Sequence, residues 1–210
     1  MKPKIDKGEV PRIKAVFFDI GNVLLSFDAA EVVKKMAWKL KLNPFKLARF
    51  AWHSGFGEKI ERGELSPREL YRLFCRDVGY TGDYAAFRNL WSDHFTLNKG
   101  TSVILDEVAR KRKVFLLSNT NHLHYEFIRR HYAFAASAHG AVLSYRLKMR
   151  KPEPGIYLAA LRKARVRAEE AFFIDDLAEN VEGARKVGMV AMRFTTAAAL
   201  RQELRGLGIL

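Results

Sequence analysis

The stretch Ala15-Val16-Phe17-Phe18-Asp19-Ile20-Gly21-Asn22-Val23-Leu24-Leu25 decides how the rest of the chain is read. Its first four residues are apolar and rich in β-branched and aromatic side chains, the composition of a strand buried on both faces of a parallel sheet. Parallel sheets present their chemistry where the strands end. Asp19 stands at that end, and a glycine two residues later allows a sharp turn. A carboxylate beside a core is costly to hold unless a metal ion or an ammonium group pairs with it. The bland alternative is an Asp that caps the next turn or helix.

Working outward, the 210 residues suit one core fold carrying an insertion, and hydrophobic residues at 49% are enough for a substantial core. Lys plus Arg at 37 against Asp plus Glu at 23 gives a formal charge of +14. That balance favours anionic partners and says nothing about fold. The basic residues are dispersed over Lys34-Lys35, Arg110 to Lys113, Arg129-Arg130 and Arg162 to Arg167, and no nucleic-acid motif accompanies them, so no dedicated nucleic-acid surface is expected. Cys75 is the single cysteine, which excludes an internal disulfide and fits a reducing, cytoplasmic setting. Residues 1–12 read as a basic leader without the apolar segment of a signal peptide, and no apolar run approaches the roughly 20 residues that span a bilayer. A monomer or homodimer is expected.

After the first strand the pattern is helical for about seventy residues. Asp28 with Glu31 opens a helix bearing Val32, Val33, Met36, Ala37 and Leu40; Asn43-Pro44 opens a second, and Ser66-Pro67 with Glu69 a third, its apolar face Leu70, Leu73 and Phe74. Tyr84 to Trp91 reads as a fourth. The strand and helix rhythm resumes near residue 100 with a helix from Thr101 to Arg112, whose Val103, Ile104 and Val108 are expected inward. Strand Val114 to Leu117 ends in Ser118-Asn119-Thr120, and strand Phe172 to Ile174 ends in Asp175-Asp176. A helix carrying Val181, Ala184 and Val187 then stops near Gly188, and Met189 to Phe194 supplies a further strand. This predicts an α/β fold: a Rossmann-like parallel sheet core with an inserted α-helical cap. The expected division is a leader at 1–12, a core at 13–25 and 99–210, and a cap at 26–98.

Three strand ends therefore deliver Asp19, Ser118-Asn119 and Asp175-Asp176 to one rim, and Lys151 stands out in Arg150-Lys151-Pro152-Glu153-Pro154-Gly155 between the last two. Carboxylates beside hydroxyl, amide and ammonium groups suit phosphoryl transfer. Mg²⁺ takes hard oxygen ligands, commonly one or two carboxylates, while an ammonium and turn N–H groups neutralise phosphoryl oxygens.

With these motifs quoted, the chain resembles the haloacid dehalogenase superfamily, subfamily I with an α-helical cap. The motifs Asp19-Ile20-Gly21-Asn22-Val23, Leu117-Ser118-Asn119-Thr120, Lys151-Pro152-Glu153-Pro154 and Asp175-Asp176 with Asn180 follow in the family's order. The resemblance implies a Mg²⁺-dependent phosphatase of a small phosphorylated metabolite, a sugar phosphate among the candidates. Asp19 would be the nucleophile that forms an aspartyl-phosphate. Asp19, the Gly21 carbonyl and Asp176 would hold the metal, with Asp175 acting through water or positioning. Ser118 and Asn119 would bind the phosphoryl group, and Lys151 would bridge it to Asp19.

One departure matters. Most phosphatases and mutases of the family carry a second Asp, the acid/base, where this chain has Gly21. A mutase is disfavoured, and a leaving group that needs little proton assistance, or an acid from the cap or from water, is preferred; the chain is similar to small sugar-phosphate phosphatases with an Asp-x-Gly-Asn-Val first motif. The same departure admits a metal-independent 2-haloacid dehalogenase, because halide leaves unprotonated. The adjacent carboxylates Asp175-Asp176 argue against it, since without a cation they repel each other. A third reading is a catalytically weak polyanion-binding protein of the same fold.

Other residues invite interpretation. Trp52, His53, Phe56 and Glu58 lie where a cap loop could reach the active site, although their aromatic members also fit cap packing. His122 and His124, two apart, cannot share one helix face as a zinc pair. Either could still line the pocket. Cys75 reads as a small packed hydrophobe, and Asn180 as a brace for the loop carrying Asp176.

Overall fold

The computed structural model describes residues 12–52 and 56–210. The leader expected at 1–12 therefore lies, apart from Arg12, outside the described residues, as does His53.

The opening stretch forms β1 (Ala15–Phe18), and Leu25–Ser26 forms β2. The insertion follows as α1 (Ala29–Leu40), α2 (Pro44–Trp52), α3 (Phe56–Glu61), α4 (Pro67–Val78) and α5 (Tyr84–Ser92). The chain returns through β3 (Thr96–Leu97), α6 (Lys99–Ala109), β4 (Lys113–Ser118), α7 (His122–His131) and α8 (Phe134–Ser137). It finishes with β5 (Gly140–Leu143), α9 (Ser144–Leu147), α10 (Pro154–Ala164), β6 (Ala171–Asp175), α11 (Ala178–Lys186), β7 (Val190–Arg193) and α12 (Ala197–Gly206).

Five strands pair in parallel in the order β5-β4-β1-β6-β7, which puts β1 at the centre. Its alternate residues serve opposite layers. Val16 and Phe18 face the cluster built with Ile104, Leu105 and Val108 of α6 and Leu200 and Leu204 of α12. Phe17 faces Ile156, Tyr157 and Leu161 of α10 and Val181 and Ala184 of α11. A sheet covered on both faces explains why β1 lacks the polar alternation of a half-exposed strand. Phe17 and Phe18 are fully buried, each contributing roughly 1.5–3 kcal/mol by removal from water.

Phe18 pairs with Leu116 on one side and Ile174 on the other. Extending that register one residue sets Asp19 level with Asp175, with Ser118 one step beyond Leu117, so three strands end together where the chemistry is expected.

The inserted helices have an apolar centre of their own. Asp28 caps α1 by accepting from the N–H groups of Ala30 and Glu31. Ser66 and Glu69 form a reciprocal capping box at α4, with bonds of 2.7 and 3.2 Å. Phe74 of α4 packs within 5.3–6.1 Å of the rings of Phe87, Phe50, Tyr80 and Trp91. Leu123, from α7, joins this cluster and ties the insertion to the sheet layer. Cys75 is partly buried against the same cluster.

One expectation is overturned. Val103 is 52% exposed, and α6 turns Thr101, Ile104, Leu105 and Val108 inward instead. That set follows the i, i+3, i+4, i+7 stripe of a helix, and Val103 lies about one residue's rotation off it.

Candidate active site

Asp19 is fixed from both sides. Its backbone N–H donates to the carbonyl of Ile174 at 2.9 Å, and its carboxylate meets the Lys151 ammonium at 2.8 Å. The same ammonium donates to Asp175 at 2.6 Å. Lys151 is held in turn by a two-way bond with the side chain of Asn119: the Lys151 N–H donates to Asn119 Oδ1 at 2.8 Å, and Asn119 Nδ2 donates to the Lys151 carbonyl at 3.0 Å. Asp175 is fully buried and saturated, accepting also from Asn180 Nδ2 and from the Leu177 N–H. Asp176, more open, accepts from Asn22 Nδ2 at 3.0 Å. Asn22 itself sits at φ 52°, a left-handed conformation that Asn tolerates better than most residues.

Burial dominates the electrostatics of this cluster. It pushes the Asp19 carboxyl up to about 7, with Lys151 pulling down and Asp175 adding to the rise. Burial also opposes the charge on Lys151, but Asp19 and Asp175 together outweigh it and hold the ammonium above its ordinary range. Asp19, Asp175 and Asp176 each offer an oxygen within 4.8 Å of the others. Two carboxylates, Asp19 and Asp175, meet one ammonium, and the half-buried Asp176 beside them adds a third negative charge. A hard divalent cation with oxygen ligands suits such a donor set, so these residues fit the expected Mg²⁺. The Ser118 hydroxyl, buried at the end of β4, makes only a long 3.4 Å bond to the Asn119 carbonyl and retains capacity for a ligand.

Two spaces open against this cluster. One is a cavity of about 330 Å³ between the inserted helices and the sheet, with Ile20, Gly21, Ser118 and Asn119 at its base. The other is a larger cleft of about 730 Å³ on the Asn22 side, whose wall carries Asp28, Glu31, Lys35 and Asp93. Helix α3 closes over the first through ion pairs to the Lys151 loop. Glu61 meets Arg150 at 2.8 Å, while Arg62 pairs with Glu153 and donates to the Lys148 carbonyl at 3.2 Å. Burial raises the Glu61 pKa against the pull of Arg150.

The residues expected at the site are thus brought together: Asp19, Lys151, Asp175 and Asp176 as one charged cluster, with Gly21, Ser118 and Asn119 beside it. Asn180 braces Asp175 rather than Asp176. Phe56 packs on Phe50 at 4.6 Å and also lines the cavity, whereas Glu58 pairs with Arg62 at 2.9 Å. His122 and His124 part company. The first packs against Tyr145, and the second is half-buried in the cavity wall with Nε2 bonded to the Trp91 carbonyl. The sequence reading missed the Asn119 side chain as the holder of Lys151 and Asn22 as the partner of Asp176. Both stand inside the quoted motifs, so position was the available signal.

A model of the haloacid dehalogenase-like hydrolases matches residues 13–188, and the chain belongs to that family. It is 28% identical over 204 residues to a sesquiterpene phosphatase of Aspergillus oryzae, covering 92% of this chain and 96% of the relative. It is 27% identical over 202 residues to a D-ribitol-5-phosphate phosphatase of Bacteroides thetaiotaomicron, covering 91% and 97%. A haloacid dehalogenase family enzyme from Bacteroides thetaiotaomicron, solved as a magnesium complex, superposes with a TM-score of 0.75 at 25% identity, over 88% of this chain and 94% of that one. The enzyme class read from the motifs, a phosphoric monoester hydrolase, agrees with both curated relatives. No helix among the described residues is long and apolar enough to cross a membrane.

Proposed function

We propose that the chain is a Mg²⁺-dependent phosphatase of a small phosphorylated metabolite, acting through an aspartyl-phosphate on Asp19. The observation that carries this reading is the buried ion triad of Asp19, Lys151 and Asp175, with Asp176 and Ser118 at its open side. The relatives' substrates, a sesquiterpene compound and a sugar-alcohol phosphate, agree only in being acted on by phosphatases.

In the mechanism, Ser118 and the Asn119 N–H orient the phosphoryl group, and Lys151 lies against its charge. An Asp19 oxygen attacks phosphorus as the bond to the alcohol oxygen breaks, and the departing oxygen takes a proton from water. Water then attacks phosphorus, the bond to Asp19 breaks, and phosphate leaves with the carboxylate restored. Asp19, the Gly21 carbonyl and Asp176 would hold Mg²⁺, which when bound supplies positive charge against the phosphoryl oxygens and the nucleophile. Asp175, saturated by Lys151, Asn180 and Leu177, acts as a positioning residue. Gly21 leaves the leaving group without a neighbouring acid, which costs a factor of order 10²–10⁴ on poor leaving groups and little on good ones.

Hydrolysis of para-nitrophenyl phosphate, with Mg²⁺ and with EDTA, tests the reading. Turnover that needs Mg²⁺ and falls at least ~10³-fold in Asp19→Asn is expected. Activity retained in that variant would remove Asp19 as nucleophile. Chloride release from 2-chloropropionate that ignores EDTA would instead favour the dehalogenase, and Mg²⁺ binding without any turnover the polyanion-binding protein.

A further inference from the structure

We propose that the substrate is the phosphate monoester of a largely apolar alcohol, its carbon skeleton seated in the cavity between the inserted helices and the sheet. The proposal rests on the phosphatase reading and narrows its substrate away from sugar phosphates.

The two spaces at the site differ in what they can accept. The larger cleft carries Asp28, Glu31 and Asp93 on its wall against one cation, Lys35, a net negative lining that disfavours a phosphate dianion. The smaller cavity has the phosphoryl-binding Ser118 and Asn119 at its base, so a phosphate held there can direct its organic group into it. Above that base the wall is predominantly apolar: Val33, Met36, Leu47, Phe50, Phe56 and Ile128 come from four different helices, with His94, Thr120, Asn121 and His124 as polar members. Glu61, the carboxylate in this wall, is engaged by Arg150. Sugar hydroxyls moved into such a place lose water and gain few partners. A hydrocarbon gains burial with every atom.

Size sharpens the class. A cavity of about 150 Å³ accommodates benzene; one of about 330 Å³ scales to roughly a dozen carbons.

The test measures kcat/KM of the Mg²⁺-loaded enzyme on para-nitrophenyl phosphate, on n-alkyl phosphates from ethyl to dodecyl below micelle-forming concentrations, and on glucose 1-phosphate and ribitol 5-phosphate. The expected result is a rise of about four-fold per added methylene until the cavity is full, with both sugar phosphates near ethyl phosphate. A flat series, or sugar phosphates ahead of the alkyl esters, with para-nitrophenyl phosphate still turned over, overturns the inference and leaves the phosphatase standing. Silence on every ester instead strikes the phosphatase reading. The cavity is then judged by binding alone: 1-decanol should raise the melting temperature of the metal-free protein, and an unmoved melting temperature counts against it. Val33→Phe should shift the preferred chain to fewer carbons and Phe50→Leu to more, each checked for folding by its melting transition. An optimum that moves in neither variant overturns the assignment.

Discussion

Lys151 answers two buried carboxylates at once, so removing it does more than delete a phosphate contact. In Lys151→Ala, Asp19 and Asp175 would face each other without a cation, and breaking a buried pair in this way costs about 3–5 kcal/mol. The metal-free variant should therefore melt well below the parent, and its turnover should fall steeply; a full-activity, full-stability variant would remove Lys151 from both roles. Gly21 offers the opposite experiment. A Cβ built there meets nothing nearer than an Asp19 oxygen at 4.0 Å, so a side chain fits. Gly21→Asp should raise kcat on alkyl esters with poor leaving groups, by up to about 10²-fold, and leave aryl esters nearly unchanged; equal effects on both would show that proton transfer is not limiting. At this scale the sequence was informative because carboxylates directly after apolar runs have few structural reasons to be there. The side chains of Asn22 and Asn119 were opaque, since their partners Asp176 and Lys151 stand 154 and 32 residues away.

Helix α3 is the element that closes the site. Six residues long, it cannot hold its place by intrinsic helicity; the Glu61–Arg150 ion pair, the Arg62–Glu153 ion pair just past its end and the Arg62 bond to the Lys148 carbonyl supply the anchorage. Gly63 permits the close approach that follows: it has φ +65°, and a Cβ there would lie 2.5 Å from the Tyr145 carbonyl oxygen. Gly63→Ala should therefore raise KM by lifting the helix from the Lys151 loop while far-UV circular dichroism stays unchanged; an unaltered KM would show that the contact is not needed for closure. Arg150→Ala should act in the same direction and flatten the dependence of KM on salt, because the lost pairs are partly exposed and hence screened. Among the elements, β1, β4 and β6 were legible from continuous apolar runs. The edge strand β5 was not read: its first two residues are only half-buried, and four residues starting with glycine carry little strand signal. Val103 shows the other limit, where an apolar residue was given to the core although its helical phase points it outward.

Across the whole molecule, the positive balance of +14 suits an enzyme that must draw in anions, and kcat/KM should fall as ionic strength rises. Two ring systems at the junction of insertion and sheet contribute to acid sensitivity. Burial lowers His94 to about 4 against the pull of Asp93. Burial and the neighbouring His94 lower His124 to about 3, against its bond to the Trp91 carbonyl. Both are neutral when folded and titrate near 6.5 when unfolded. The unfolded chain thus binds more protons below that value, and the stability present above pH 6.5 is lost as pH falls toward 4. A loss of about 1–2 kcal/mol per histidine is expected at pH 5, and His94→Phe should reduce it; a variant with the parent's pH profile would assign the effect elsewhere. The paired segments β2 and β3 carry a different consequence. Leu25 lies opposite Leu97 and Ser26 opposite Thr96, so the chain departs for the helical insertion and comes back at adjacent points, a strand spacing of about 4.8 Å apart. Such a joint lets one helical module be exchanged for another of different length without disturbing the sheet register. A graft at that seam should carry one relative's selectivity onto this chain's chemistry.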